Sequence, residues 1–369
     1  MSRRARARDA RRRRRRSALW IVVNGLLLTS LTLWLVARAF AGSPVSTSSA
    51  SGASAAASAS ASATPPPVPT RDVFLRPSAP YFGLMTPQSP WSRSEIDALS
   101  RRAGARPTVL EFFVKWNQEF RPDAVAMCYR QQALPLLSWE PWAGPNYGLS
   151  QPAFALRKIS AGAYDPYITR FATAVRSQRW PVAIRFAHEM NGNWYPWSES
   201  RSGNHAGDYV RAWRHIHDVF TRLGATNVIW VWSPNIIRPV PQVALRPLYP
   251  GDKYVDWVGM VGYGAGERAA GEVFDPTIAA LRTFTRKPLL ITETGAEPGP
   301  AKAAWTASVF PWLRKHRDVI GFVWFEMSQS TGANADWRFT ADPRTEKVFH
   351  GGIVQSTLAR PPNYIGPGG

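Results

Sequence analysis

Eight short apolar runs of strand character, separated by helical patterns, constrain the fold of this chain more than any other feature. The runs span residues 81–85, 108–114, 134–139, 182–189, 228–233, 255–263, 288–293 and 320–325. Ser92 begins a capping box that predicts a helix closed near Gly104, and an amphipathic segment ended by Gly224 predicts another. Strands and helices that alternate in this way predict an α/β protein, and a (β/α)8 barrel in preference to a doubly wound sheet.

The N-terminal part has a different character. Ten arginines precede Ser17, and residues 18–37 are mostly apolar and uncharged, long enough to span a bilayer. Residues 1–17 are therefore predicted to be cytoplasmic, and residues 18–41 to be a transmembrane signal-anchor or a signal peptide. Ala39 and Ala41 fit a signal-peptidase site, whereas the length of the apolar stretch favours an uncleaved anchor. Residues 42–76, rich in Ser, Ala and Pro, predict a disordered linker, 77–345 the catalytic barrel and 346–369 a C-terminal tail.

The net charge of +20 raises the question of a polyanionic partner. Residues 1–16 hold ten arginines and one aspartate, which leaves 35 basic against 24 acidic residues. No nucleic-acid-binding motif accompanies this charge, so nucleic acid is not a predicted partner, and anionic envelope polymers or lipid are favoured. The single cysteine, Cys128, excludes an intramolecular disulfide and a zinc site built on thiolates.

Two glutamates end apolar runs at positions where a barrel carries its chemistry. Glu189 ends the fourth run and Glu293 the seventh. An acidic residue in this setting carries a desolvation cost, and catalysis at the C-terminal ends of barrel strands is a common reason for it. For either glutamate alone, a salt bridge is the alternative. As a pair they fit retaining glycoside hydrolysis, which needs a proton carrier and a carboxylate nucleophile.

The segments "RFAHEMNGNWYPW", "VWSPN", "ITETG" and "GFVWFEM" resemble glycoside hydrolase family 26, a β-mannanase-rich family of retaining barrel glycosidases. The resemblance covers residues 78–345. It implies that Glu189 is the general acid/base and Glu293 the catalytic nucleophile. It also implies that His188 replaces the asparagine that precedes the acid in most of that clan.

Neighbouring side chains receive roles from strand alternation and from the resemblance. Arg185, Ala187 and Glu189 share one face of an extended strand, so Arg185 is expected to hold Glu293 ionised. Tyr263 resembles the family's tyrosine that contacts the nucleophile. Such an arrangement predicts a raised pKa for Glu189 and an ionised nucleophile.

The other candidates are expected to bind the sugar chain. Trp324 is expected to form the floor of the reacting sugar's site. The remaining substrate-binding candidates are His188, Trp142, Trp194, Trp197, Tyr263 and Asn235, with Glu140 beside Trp142. Core packing or loop packing is the alternative for each of these candidates.

The sequence thus predicts a retaining endo-β-glycanase that hydrolyses β-1,4-mannan or a related β-glycan outside the cell, as a single-pass membrane protein or a secreted one. One alternative is a membrane-anchored enzyme that trims a polysaccharide made by its own cell. Another is a non-catalytic glycan-binding envelope protein, and a third is a transglycosylase. No cofactor or metal is expected, because there is no HExxH motif and His215 and His217 lie on different faces of a helix.

Overall fold

A computed structural model of the chain describes residues 68–143, 148–266 and 269–359. All of these residues belong to one compact unit, Thr64–Gly369. The predicted segments 1–17 and 18–41, and the linker up to residue 67, lie outside the described residues. Within the described ranges, no helix has both the length and the apolar character that a membrane span requires.

Eight parallel strands pair in chain order and close into a barrel, β1 pairing with β8. The strands are β1 (Tyr81–Met85), β2 (Val109–Lys115), β3 (Leu134–Glu140), β4 (Val182–Phe186), β5 (Val228–Trp232), β6 (Trp257–Val261), β7 (Leu289–Thr294) and β8 (Val319–Phe325). Each lies within one of the eight apolar runs or overlaps most of it, which confirms the predicted barrel. The fourth strand is shorter than predicted, since it ends at Phe186 and not at Glu189.

Helices surround the barrel. They are α1 (Asp72–Leu75), α2 (Arg93–Ala103), α3 (Pro122–Arg130), α4 (Leu156–Ser160), α5 (Asp165–Gln178), α6 (Asp208–Arg222), α7 (Ala270–Leu281), α8 (Lys302–Lys315) and α9 (Pro343–Val354). The predicted capping box of α2 is present in part, because the Ser92 side chain accepts a hydrogen bond from the Glu95 amide. Between β5 and β6 the described chain has only two short 3-10 turns, Arg246–Leu248 and Asp252–Tyr254, in place of a helix.

The alternation of side chains along each strand separates an inner polar layer from an outer aromatic one. On β3, Ser138 faces the barrel interior, where its hydroxyl meets Arg185. The next residue, Trp139, faces outward and stacks on Phe171 of α5, with ring centroids 4.4 Å apart. Stacking of this kind adds about 0.5–1.5 kcal/mol to the burial of the rings. The core therefore lies mainly between the barrel and its helices.

Residues before β1 close the N-terminal end of the barrel, here called the base. Phe74 is buried, and its carbonyl accepts a hydrogen bond from the Tyr81 hydroxyl (2.9 Å). The indole N–H of Trp257 donates to the Leu75 carbonyl (3.0 Å). The predicted start of the folded domain at residue 77 is therefore too late, because residues 68–76 already pack against the barrel.

The predicted boundary at residue 345 also needs correction. Helix α9 runs through it, starting from an Asp342 cap whose side chain accepts a hydrogen bond from the Thr345 amide. Phe349 is buried and stacks on Phe339, with ring centroids 4.1 Å apart. Residues 346–359 thus belong to the folded domain, and residues 360–369 lie outside the described part.

Candidate active site

Glu293 lies at the C-terminal end of the barrel, here called the mouth, and is buried on β7. Its Oε1 accepts a hydrogen bond from Arg185 Nη1 on β4 (2.5 Å). Its Oε2 accepts another from the Tyr263 hydroxyl (2.9 Å). Both contacts stabilise the charged form of a carboxylate, so the geometry agrees with the predicted surroundings of Glu293.

A β-bulge sets the direction of this side chain. In the pairing of β7 with β8, the register shifts between Ile291 and Thr294, so β7 uses one residue more than β8. Thr292 faces the interior, where it meets the Ser233 hydroxyl at 2.7 Å. The next residue, Glu293, also faces the interior, which regular alternation would not allow.

Glu111 on β2 is a buried carboxylate that the sequence analysis did not single out. Its Oε1 accepts hydrogen bonds from Arg185 Nη1 (2.8 Å) and from the Ser138 hydroxyl (2.6 Å). Burial raises the pKa of Glu111, with Arg185 opposing the shift and Glu293 adding to it. The Arg185 guanidinium therefore donates hydrogen bonds to the carboxyl groups of both Glu111 and Glu293. The available signal was an acidic residue in the middle of the apolar strand "VLEFFVK".

The electrostatics of Arg185 follow from this shared position. The side chain is fully buried. Burial disfavours its cation, but the carboxylates of Glu293 and Glu111 raise the pKa of Arg185 above its usual value. The guanidinium is thus a permanent positive charge next to Glu293.

Glu189 lies beyond the end of β4, in a loop that turns sharply. Ala187 and Glu189 both adopt positive φ angles, 43° and 52°. The prediction that Glu189 shares a strand face with Arg185 is therefore wrong, because the regular alternation of side chains stops at Phe186, where β4 ends. The Glu189 amide is held by the Ser233 carbonyl (2.8 Å), which fixes the turn at the mouth. Non-glycine residues in this conformation are strained and are often found at functional sites.

The carboxyl group of Glu189 meets two neutral donors. Trp194 Nε1 donates to its Oε2 (2.5 Å), and Asn235 Nδ2 donates to its Oε1 (2.7 Å). Burial, reinforced by the negative charge of Glu293, raises the pKa of Glu189 to about 7. The two donors and the more distant Arg185 oppose that shift. The predicted rise in the pKa of Glu189 thus has a structural basis.

Asn191 fixes the position of Asn235. Its side chain accepts a hydrogen bond from the Asn235 amide (2.8 Å) and donates one to the Asn235 carbonyl (2.9 Å). This exchange joins the "HEMNG" and "VWSPN" segments. The sequence analysis included Asn235 as a candidate but missed Asn191.

His188 packs behind the carboxylates. Its Nε2 lies 3.1 Å from the Tyr195 hydroxyl, and burial, together with Arg185, lowers the pKa of His188 well below its usual value. Trp197 donates to the His188 carbonyl (2.6 Å) and stacks on Tyr195 with centroids 4.3 Å apart. Because Trp197 is fully buried, its predicted role in lining the cleft is not supported, and it instead supports the loop.

Trp142 and Glu140 form the edge of the site at the end of β3. Trp142 is partly buried, packs edge-on against Tyr195 (5.7 Å) and donates its indole N–H to Glu140 Oε2 (3.0 Å). Burial raises the pKa of Glu140 to about 7, and Trp142 and Lys115 oppose that shift. The expected contact of Trp142 with the sugar chain stays a prediction.

Trp324 does not face the mouth, contrary to the prediction. It is fully buried against Phe349 of α9 (4.9 Å), and its indole N–H donates to the Trp337 carbonyl. One residue further on, Phe325 lies edge-on to Tyr263 (6.0 Å), and Trp337 packs on the same tyrosine (4.5 Å). Side chains alternate along β8, so Phe325 and Trp337, and not Trp324, lie beside Tyr263.

No group of three or more His, Cys, Asp or Glu side chains within residues 68–143, 148–266 and 269–359 is arranged to hold a metal ion. Cys128 is buried on α3, where burial raises its thiol pKa. The polar groups at the mouth are thus arranged around carboxylates and aromatic rings.

Comparison with known proteins agrees with this arrangement. Residues 159–329 match the model of Glycosyl hydrolase family 26. Endoglucanase H of Acetivibrio thermocellus is 31% identical over 277 residues, covering 71% of this chain and 29% of the relative. Beta-1,3-xylanase TXYA of a Vibrio species is 24% identical over 240 residues, covering 58% of this chain and 48% of the relative. The chain thus spans less than half the length of either curated relative.

Solved structures share the fold. A family 26 β-mannanase from Bacteroides ovatus superposes with a TM-score of 0.58 at 20% identity, covering 77% of this chain and 92% of that one. The match with the family model includes both Glu189 and Glu293. The chain belongs to glycosyl hydrolase family 26.

Proposed function

We propose that this protein is a retaining endo-β-glycanase that hydrolyses β-1,4-mannan or a related β-glycan by double displacement. The observation that carries the proposal is the different surroundings of the two mouth glutamates. Glu293 is bound by a guanidinium and a phenol, whereas Glu189 is bound by two neutral donors and has a raised pKa. The reaction requires one carboxyl group that delivers a proton and a second that attacks as a carboxylate.

In the first step, a Glu293 oxygen forms a bond to the anomeric carbon as the glycosidic C–O bond breaks. Glu189 gives its proton to the departing oxygen. With a pKa near 7, Glu189 carries that proton at neutral and lower pH. Arg185 and Tyr263 hold the Glu293 oxygens by hydrogen bonds before the attack.

In the second step, Glu189 is a carboxylate and removes a proton from water. The water oxygen attacks the anomeric carbon, the ester bond to Glu293 breaks, and both glutamates return to their first states. While Glu293 is esterified and uncharged, Glu111 remains hydrogen-bonded to the same Arg185 nitrogen. That nitrogen therefore keeps a partner throughout the reaction cycle.

The identity of the sugar is the finer part of the proposal. Mannan stands first because a mannan endo-1,4-beta-mannosidase of Bacillus subtilis is 29% identical over 181 residues. Other curated relatives are an endoglucanase and a β-1,3-xylanase, so glucan and xylan belong in the same test.

The decisive experiment is a reducing-sugar assay on β-1,4-mannan, mixed-linkage β-glucan, β-1,4-xylan and β-1,3-xylan, with polysaccharide from the producing cell's envelope as a fifth substrate. We expect wild type to release sugar from at least one polymer and Glu293→Ala to release none. Proton NMR of the first product should show the β anomer. Wild-type protein that binds a polymer but cleaves none would identify a non-catalytic glycan-binding protein. An α anomer would exclude retention, and products longer than the substrate would identify transglycosylation.

We also propose that the enzyme acts outside the cell, as a single-pass protein or a secreted one. The support is the uncharged segment 18–37 that follows an arginine run. Protease protection of intact cells, with sequencing of the mature N-terminus, tests the location and the cleavage together. A barrel that resists protease until the cells are lysed would contradict it.

A further inference from the structure

A groove at the mouth lies outside the carboxylate cluster. It runs between the segment after β1 and the segment after β2, with a volume of about 460 Å³. Met85 and Phe113 form part of its inner wall, and Trp91, Gln118 and Arg121 form part of its outer wall. Loops that follow barrel strands lie on the catalytic side, so this groove opens on the same face as the two glutamates.

Trp91 is the most unusual residue of the groove. Its side chain is 45% exposed, more than that of any other tryptophan among the described residues. Packing explains the buried tryptophans of the fold, but it does not explain an indole ring left this far in water. An exposed aromatic surface beside polar groups is typical of a binding site.

The ring of Trp91 is held in place before any ligand arrives. The Arg121 guanidinium lies 4.8 Å from its centroid. Arg121 is itself fixed by Asp123, which accepts hydrogen bonds from its Nε (2.9 Å) and Nη2 (2.5 Å). A ring fixed in this way loses little conformational freedom when a ligand stacks on it.

The groove lies next to the active site. Phe113, in its inner wall, packs edge-on against His188 with ring centroids 5.7 Å apart. His188 immediately precedes Glu189 in the chain. The groove is therefore adjacent to the loop that carries Glu189.

We propose that the Trp91 groove is a distal sugar-binding subsite, where a pyranose ring of the same β-linked chain stacks on the indole several sugars from the cleaved bond. This inference rests on the proposed function. The apolar C–H face of a pyranose fits the indole, and its hydroxyl groups meet the polar side chains of Gln118 and Arg121.

The test compares substrates of different length. Trp91→Ala, Trp91→Phe and the matched surface control Val354→Ala are assayed on β-1,4-linked manno-, gluco- and xylo-oligosaccharides of two to six sugars. Val354 is 60% exposed on α9, away from the mouth. We expect Trp91→Ala to lower kcat/KM on the longest substrates by about tenfold, the equivalent of one lost stacking contact. The shortest cleaved substrate should be hydrolysed as by wild type, Trp91→Phe should lie between, and Val354→Ala should have no effect.

A binding arm separates this inference from the proposed function. Calorimetry with the hexasaccharides uses Glu293→Ala with and without Trp91→Ala, and circular dichroism checks that each variant is folded. Equal loss on short and long substrates, or unchanged binding and cleavage, would overturn the subsite. If wild type cleaves nothing but binds a hexasaccharide through Trp91, the subsite stands and the hydrolase proposal fails. If none of the oligosaccharides binds, the subsite fails, and the polymer assay alone decides the proposed function.

Discussion

The two ends of the barrel are closed in opposite ways. At the base, the chain itself fills the opening, and Arg71 donates hydrogen bonds to the Val228 carbonyl and to Asp256, each at 2.7 Å. At the mouth, several buried polar atoms have no hydrogen-bond partner within the described residues. They are Glu111 Oε2, Arg185 Nε and Nη2, His188 Nδ1 and Asn235 Oδ1.

This difference separates stability from function. A buried polar atom without a partner costs about 1–3 kcal/mol, so a fold tolerates such atoms mainly where they serve a purpose. Packing at the base adds to the stability of the fold, whereas the mouth lowers that stability in order to hold charged groups in place. Changes at the two ends should therefore affect different measurements.

Charged side chains on the surface also differ between the base and the mouth. Several exposed basic residues lie in the last helical turns, at the base, and acidic residues lie in the first turns, at the mouth. The basic set is Arg101 and Arg102, Arg130, Arg176, Arg222, Arg314 and Lys315. The acidic set is Glu95, Asp123, Asp165, Asp208 and Glu272. Each sign suits the helix dipole at its own end, which accounts for part of the chain's positive charge without a nucleic-acid partner.

The largest effect is expected from Glu189→Gln at the mouth. The loss of the proton carrier should lower kcat/KM by about 10²–10⁴-fold. The pKa of Glu189 in the folded protein lies above its usual value, so ionisation destabilises the fold as the pH rises through about 7. Glutamine removes that cost, and urea unfolding at pH 8 should show equal or greater stability than wild type.

Glu326→Gln is the matched control. Burial also raises the pKa of Glu326 to about 7, but its oxygens bind the Phe339 and Thr340 amides (2.8 and 3.2 Å). This variant should lose stability and keep its kcat/KM. A large loss of activity in Glu326→Gln, or a large loss of stability in Glu189→Gln, would contradict the separate roles assigned to these two buried glutamates.

The second effect is expected at the base. Phe74→Ala should lower the free energy of unfolding by about 3–5 kcal/mol, because it leaves a cavity beneath the barrel. Measured at a temperature where the variant is fully folded, kcat/KM should equal that of wild type. Denaturant unfolding and kinetics on the same preparation check both values, and a fall in kcat/KM of the folded variant would disprove the separation.

The smallest effect is a change in pH dependence. Asn235 donates to the ionised form of Glu189 and so lowers its pKa. In Asn235→Ala that pKa should rise, and the fall of kcat/KM on the alkaline side should move to higher pH. The pH profile of kcat/KM for the variant and wild type measures this shift. Movement to lower pH would mean that Asn235 does not stabilise the Glu189 carboxylate.

Much of the barrel could be predicted from the sequence because apolar runs and helix patterns depend on local residues. The glutamate pair and Tyr263 came from motifs, Arg185 came from strand alternation, and the contacts of Arg185 and Tyr263 with Glu293 are present. The direction in which some side chains point was predicted wrongly. A shift of one residue reverses the face of a strand, so Trp324 was assigned to the mouth although Phe325 faces it.

Other features depend on the tertiary structure. Nothing in "RFAHEMNG" indicates that Ala187 and Glu189 adopt positive φ angles, since only neighbouring strands impose this turn. Glu111 became a site residue only when β2 and β4 were brought together. By contrast, Asp342 followed by proline is a recognisable helix start, and it could have revealed α9.

The bulge in β7 has a consequence for protein design. Because Thr292 and Glu293 both face inward, the backbone register, and not the choice of side chain, brings the carboxylate to Arg185. A glutamate grafted onto the regular seventh strand of another barrel would point its carboxyl group outward toward the helices. Transplanting this chemistry therefore requires the additional residue along with the two glutamates.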